Sequence, residues 1–316
     1  MYSGETTVLD APAAVEPALP KFVLRRRRKS RSALGWLTIA FFLLVTVLPL
    51  LWVLRTALTP PAQIYSSPES LTPPTVTDDN FERVLGLMTT EEAVAASGTA
   101  AQLDFPSALK NSFIVVTLIT VAMVSFSSMA AYAFARLSFP LRNAIFYLFV
   151  GALLVPPIVT LIPNFVLMRD LGWINTYAGI VAPHFLMTPF AVFFLRQFFL
   201  TLPSELEEAA RLDGAGRIRT FASIIVPLSG GPIATLATLT FVTEWNDFLW
   251  PFIVGQGEGT RTLTVALGVF RSSTPQGAPD WGGLMGGSLL SAVPILIVFM
   301  FAARRMINAL TYTGLK

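Results

Sequence analysis

The sequence predicts an all-α polytopic membrane protein with six transmembrane helices. Composition carries the first part of that prediction. Of 316 residues, 53% are hydrophobic and only 13% charged, and the mean hydropathy is +0.64. A soluble chain of this length needs far more charge to cover its surface. Length carries the second part: six apolar runs are each long enough to cross a hydrocarbon core about 30 Å thick at 1.5 Å per residue. The third part is the placing of Lys and Arg, which gather at the ends of those runs and mostly on one side. The net charge of +3 therefore reports topology, not nucleic-acid binding. No cysteine is present, which excludes disulfides, thiol catalysis and Cys-ligated metals. A single histidine, His184, argues against a His-based metal site or a Ser-His-Asp triad, so no metal ligands and no catalytic residues are assigned.

Residues 1–20 are rich in Ala, Pro and Val without a period, and residues 25–31 read Arg-Arg-Arg-Arg-Lys-Ser-Arg. Residues 1–33 are thus expected to be a disordered, basic tail, with attraction to anionic membrane lipid as a secondary effect of its charge. The first apolar run, 34–54, is too long for a signal-peptide core and lacks a small-residue cleavage site, so it is assigned as a span. Further spans are assigned at 111–135, 144–163, 178–195, 228–254 and 284–303. With the N-terminus inside, the inside segments hold 16 of the 22 basic residues; Arg55, Arg83, Lys110, Arg169, Arg261 and Arg271 fall outside. That asymmetry puts both termini, the loop 196–227 and the tail 304–316 in the cytoplasm of a cell-membrane protein. The external loop 55–110 is punctuated by Pro60-Pro61 and Pro73-Pro74, and 91–96 is expected to form a short helix ending near Gly98. A second external loop carries Gly257, Gly259, Pro275, Gly277 and Pro279.

Within 196–227, Ser204 and Glu207 have the S-x-x-E spacing of a capping box. Helix formers run on to Leu212, and Gly214 supplies a left-handed residue for the turn. A second short helix with Arg217, Arg219, Phe221 and Ile224 leads to Pro227. The expected result is a helix-turn-helix on the cytoplasmic face, with Leu206, Ala209, Ala210 and Leu212 available to fill a groove. The stretch Glu208-Ala209-Ala210-Arg211-Leu212-Asp213-Gly214, followed by Ile224-Ile225-Val226-Pro227, resembles the cytoplasmic EAA loop of ABC importer permeases, with Val226 where that pattern has Leu. Other segments are similar to the carbohydrate, maltose-type branch of that family: Asn111-Ser112, Ala130-Ala131-Tyr132-Ala133-Phe134-Ala135-Arg136 with Phe139, Glu244-Trp245-Asn246-Asp247-Phe248, and the terminal Leu310-Thr311-Tyr312-Thr313-Gly314-Leu315-Lys316. The likeness covers roughly 34–316; residues 1–29 and 86–105 have no counterpart in it.

The resemblance implies a type I ABC importer transmembrane domain that is not itself an enzyme. It implies a second homologous permease subunit, an ATPase subunit dimer that binds the ATP and Mg, and an extracytoplasmic sugar-binding protein. This chain itself is then expected to bind no cofactor and no nucleic acid. Glu208, Ala209, Ala210, Asp213, Gly214 and Pro227 are the ATPase-coupling residues it implies.

Glu244 and Asp247 are the only acidic residues inside an assigned span, where an ionised group costs a few kcal/mol unless it faces protein or water. Spacing puts them on one helical face with Thr240 and Thr243. Pro251 cannot donate to the Asp247 carbonyl, so a kink and a free acceptor are expected there. Two readings stand. Glu244, Trp245, Asn246 and Asp247 line the substrate path, with Trp245 and Trp250 stacking on a sugar, or the polar groups bond neighbouring helices; the second is slightly favoured. His184 is expected to satisfy a neighbour's hydrogen bond. Gly282, Gly283, Gly286 and Gly287 are read as close packing. Leu228-Ser229-Gly230-Gly231-Pro232 imitates a nucleotide motif, but no phosphate-binding loop accompanies it. Alternatives to a sugar importer are a glycerol-phosphate importer, an ion-coupled transporter with Glu244, Asp247 and His184 as proton relay, and a membrane scaffold. No Lys or Arg lies inside a span, which favours a neutral sugar.

The topology has a direct check, because the chain has no cysteine of its own. A Ser97→Cys variant in intact cells is expected to react with a membrane-impermeant thiol reagent, and Ser223→Cys is not; the opposite pattern inverts the orientation.

Overall fold

Proline decides where the spans break. The computed structural model describes residues 33–65, 70–97, 103–272 and 280–312, and every described element is helical. The expected tail 1–32, Gly98, Pro275, Gly277, Pro279 and the terminal 313–316 lie outside the described residues. Three helices are long and apolar enough to cross a membrane: α1 (Ala33–Ala57), α4 (Phe105–Arg136) and, as the last element, α15 (Trp281–Tyr312). Between α1 and α4 lie two short helices, α2 (Asp79–Val84) and α3 (Thr90–Ser97).

Three further crossings are bent pairs, giving six if each pair crosses once. The first joins α5 (Arg142–Gly151) to α6 (Pro157–Asp170) at 96°, across Pro156-Pro157. The second joins α7 (Tyr177–Val181) to α8 (Pro189–Phe199) at 47°. Proline suits the first turn of a helix, where its missing N–H is not needed, and it pushes the preceding residue out of helical conformation. The continuous spans expected at 144–163 and 178–195 are therefore each split in two. Next come α9 (Glu205–Leu212), α10 (Arg217–Thr220), a π turn (Phe221–Ile225) and α11 (Val226–Leu228). The third pair bends by 79° between α11 and α12 (Gly230–Trp245). The single span expected at 228–254 is also broken: α12 stops at Trp245, and α13 (Leu249–Val254) and α14 (Leu263–Ser272) follow.

Two units are distinct: Met1–Val47 and Leu48–Lys316. In the first, residues 35–46 of α1 expose their side chains all round, as a lipid-facing helix does. In the second, α4 packs along α8 and α12, and α15 packs along α12 and α2. One apolar core, with Tyr132, Leu195, Phe199, Ile225 and Leu236, lies toward the α9 end. Two others lie farther along α4, around Phe105, Trp245 and Phe270 and around Ile119, Ile180 and Trp250.

The glycines that open α15 are close contacts, as the sequence suggested. A Cβ on Gly282 would sit 2.5 Å from Asn80 Oδ1, and one on Gly287 2.5 Å from Leu267 Cδ2. Asn80 is fully buried and donates to the carbonyls of Ala57 and Thr59, each at 2.9 Å. Arg83, one turn later, pairs with Asp280 at 2.7 Å, both side chains almost wholly buried. Burial lowers the Arg83 pKa, and the charge of Asp280 opposes that effect. Asp280 also accepts the Gly283 amide at 3.0 Å. At α3 a capping box forms: the Thr89 amide donates to Glu92 Oε2 at 2.9 Å, and the Glu92 amide donates to Thr89 Oγ1 at 3.3 Å. The Thr89 amide and hydroxyl, both donating to that oxygen, hold the Glu92 carboxyl below the usual carboxylate range.

Removing one member of a buried ion pair leaves the other charge uncompensated, at a cost of about 3–5 kcal/mol. Arg83→Met is expected to lower the thermal unfolding midpoint of the purified protein by many degrees, while Arg169→Met, from the exposed Arg169–Asp170 pair, leaves it nearly unchanged.

Candidate functional site

Two places gather polar side chains. The first is the loop between α8 and α12. Its turn is a Schellman motif: the Ala215 amide bonds the Ala210 carbonyl at 2.8 Å and the Gly214 amide bonds the Arg211 carbonyl at 3.0 Å. Gly214 has φ +78°, the left-handed conformation the spacing suggested, with open space where a Cβ would go. The expected capping box is absent. Ser204 makes no side-chain cap, although its carbonyl accepts the amides of Glu207 and Glu208. Glu207 is instead buried, and its carboxylate lies 3.1 Å from Arg136 Nε. The Tyr132 hydroxyl stands 3.5 Å from its other oxygen. An ion pair with a half-buried guanidinium outweighs a solvent-facing cap on a loop helix, so Glu207 turns inward. Arg136 also donates to the carbonyls of Phe199 and Leu202, where α8 ends. The Tyr132 ring packs on Phe221 of the π turn, 5.2 Å between centroids.

Of the residues expected on the docking face, Leu206, Glu208, Ala209, Leu212, Asp213, Gly214 and Pro227 are exposed. Ala210 is not: it is buried on the same inward face as Glu207 and is unavailable to fill a groove. Ile218, 84% exposed beside the 90% of Leu212, extends the apolar surface. Sequence reasoning passed over Arg136 and Tyr132 as members of this site. The available signal was an Arg closing a long apolar helix, four residues after a Tyr.

The second place is the break after α12. His184, Glu244 and Asp247 offer ligand atoms all within 4.8 Å of one another. His184 Nδ1 lies 2.8 Å from Glu244 Oε2. The two residues are sixty apart in sequence and were not paired by any motif. Asp247 lies beyond the helix end, so it does not share the face of Thr240 and Thr243. Thr240 is buried against the Met123 sulfur, and Thr243 is exposed. The acceptor that Pro251 leaves free is taken: the Asp247 carbonyl accepts from Thr264 Oγ1 at 2.8 Å. Neither tryptophan offers a free ring. Trp245 and Trp250 are buried and donate Nε1 to the carbonyls of Ser291 and Ile180, each at 3.1 Å. Asn246 is exposed and bonds back to the Val242 carbonyl.

The cavity shared by His184, Glu244 and Asp247 has a volume of ≈ 10 Å³, the space of about one water molecule and far less than a sugar ring. Ser112, Thr262 and Thr264 also line it, and no Lys or Arg does. Chemically the cluster can hold a proton or a small cation and can brace the end of α7 against α12 and α13; it cannot enclose a saccharide in this conformation. Asn111 and Ser112 at the start of α4 are stitches of the same kind. Asn111 donates to the Arg261 carbonyl at 3.0 Å and accepts the Tyr177 hydroxyl at 2.6 Å, and Ser112 Oγ accepts the Leu263 amide at 2.8 Å.

Residues 123–311 match the family described as "Binding-protein-dependent transport system inner membrane component". An arabinooligosaccharides transport system permease protein, AraQ, of Halalkalibacterium halodurans is 35% identical over 295 residues, 92% of this chain and 99% of the relative. The trehalose/maltose transport system permease protein MalG of Thermococcus litoralis is 35% identical over 68% of this chain and 77% of its own length. An sn-glycerol-3-phosphate transport system permease protein, UgpE, of Yersinia enterocolitica is 36% identical over 64% of this chain and 71% of its own length. Among solved structures, a chain of a bacterial ABC transporter that imports the acidic polysaccharide alginate superposes with TM-score 0.71, covering 86% of this chain and 94% of that one at 18% identity. That likeness is one of fold.

The small cavity and the hydrogen bonds at the break generate one prediction. Glu244→Gln and Asp247→Asn are expected to lower the melting temperature of the purified assembly while leaving substrate affinity unchanged in what survives; a clean affinity loss at unchanged melting temperature puts these carboxylates on the substrate path instead.

Proposed function

The chain belongs to the family of binding-protein-dependent transport system inner membrane components, and from that premise we propose that it carries a neutral di- or oligosaccharide inward with a second, homologous permease subunit. It is a multi-pass inner-membrane permease subunit of an ABC importer, from a family whose members are not catalytic. The observation that carries the sugar assignment is the near full-length likeness to an arabinooligosaccharide permease, supported by the trehalose/maltose relative. The absence of Lys and Arg from the apolar middle of every span agrees with an uncharged cargo. Glycerol phosphate is the second reading, on the strength of the relative that carries it.

In this proposal a binding protein delivers the sugar from outside and an ATPase pair binds ATP and Mg on the cytoplasmic side, where both termini lie. The exposed face of the α9–α10 hairpin, with Leu206, Glu208, Ala209, Leu212, Asp213, Gly214 and Ile218, is the docking surface for the ATPase. Ala210 acts from beneath it as a packing residue, and Pro227 begins the return to the bilayer. Closure of the ATPase dimer then moves the hairpin as a rigid piece and switches the path between outward and inward access, a hinge-type change. At the break, Glu244, Asp247 and His184 act as a brace, with the sugar passing elsewhere, at the interface with the second permease.

The test uses the assembled transporter in proteoliposomes. Uptake of arabinooligosaccharide, maltose or trehalose, with none of glycerol phosphate, is the expected result; the reverse selects the second reading. Gly214→Val adds a β-branched side chain at positive φ, about 1–2 kcal/mol of strain with no steric clash. Membrane insertion is expected to survive, and ATP-driven uptake to fall. Unchanged uptake removes the docking role from this turn.

A further inference from the structure

Resting on the docking role just proposed for α9, we propose that the buried Glu207–Arg136 pair is the joint through which motion of the docking helix reaches the spans. The case begins with orientation. Glu207 and Glu208 are neighbours on one helix, yet Glu208 is exposed and Glu207 is 4% exposed. The outer face therefore meets a partner and the inner face meets this chain, and the inner face has one charged contact. Glu207 reaches Arg136, the last residue of α4. The same guanidinium donates to the carbonyls of Phe199 and Leu202, at the end of α8. One side chain thus ties α9 to α4 and to the end of α8.

A second tie runs in parallel. Tyr132 sits one turn before Arg136, directs its hydroxyl at Glu207 and packs its ring, tilted by 38°, against Phe221. Force applied to α9 consequently has two polar routes into α4, the ion pair and the tyrosine hydroxyl, while the ring contact ties α4 to the π turn. The covalent routes are softer. Toward α12 the chain passes the Gly214 turn, the π turn Phe221–Ile225 and a 79° bend, each a place where a helix yields. The ion pair is buried, short and shared among three elements, so it is the stiff connection. Glu207 and Arg136 are positioning residues in this scheme; neither touches sugar or nucleotide.

A purely structural pair would, when broken, lower stability and leave the work done per ATP unchanged in molecules that remain folded. A joint would instead let the ATPase turn over without moving the spans. The experiment is therefore a ratio. Glu207→Gln removes the charge and keeps the shape and an acceptor. The complete transporter carrying it, with both permeases, the ATPase pair and the binding protein, is reconstituted in proteoliposomes, and sugar imported per ATP hydrolysed is measured. The expected result is a fall of about threefold to tenfold in that ratio, the usual size of effects along a coupling route, with hydrolysis retained. An unchanged ratio overturns the proposal. Where Glu207→Gln does not assemble, Glu207→Asp, which keeps the charge but draws it back by one methylene, replaces it with the same two outcomes. Leu212→Asp separates this inference from the reading beneath it. If Leu212→Asp leaves ATPase co-purification intact, the docking face is wrong; if it abolishes co-purification while Glu207→Gln stays fully coupled, docking stands and the joint alone fails.

Discussion

Hydrocarbon offers no hydrogen bonds, so every place where a span breaks must be satisfied by side chains from elsewhere in the same protein. This chain breaks three spans, and the unbroken α4 is the common partner they pack against. Over 32 residues, about 48 Å of helix, it presents Asn111 and Ser112 to the segment before α14, Met123 to Thr188 and Thr240, and Tyr132 and Arg136 to the loop.

The breaks are also where an importer needs compliance. A straight helix transmits a push along its axis, whereas a bent pair with satisfied ends can rotate about the bend. The polar cluster of His184, Glu244 and Asp247 sits where the turn after α7 meets the break between α12 and α13, and His184 ties that turn to α12 through Glu244. Its water-sized cavity fits a brace. At the opposite end of α4, Arg136 holds the loop helix against the spans through two carbonyl acceptors and the Glu207 ion pair, which gives a stiff end to a molecule whose middle is jointed.

Several features were legible in one dimension. Apolar run length marked the three unbroken spans and fell on the three bent pairs, because membrane thickness sets a length. The left-handed Gly214 followed from turn chemistry, and the freed acceptor at Asp247 from the missing N–H of Pro251. The capping box was misjudged because Thr89-x-x-Glu92 and Ser204-x-x-Glu207 carry the same local signal. In the first, no described cation pairs with the glutamate, and the box forms. In the second, a guanidinium lies within reach, and charge wins over the cap.

Composition, span length, basic-residue bias and the local turn and motif chemistry were thus determined by the sequence alone, since each depends on residues within one helix length of each other. Tertiary structure alone decided which of two adjacent glutamates faces inward, that His184 meets Glu244 across sixty residues, and that both tryptophans near the break are already bonded. The reason is geometric. Adjacent helical residues point about 100° apart, so identical side chains one position apart meet different surroundings, and those surroundings come from distant parts of the chain.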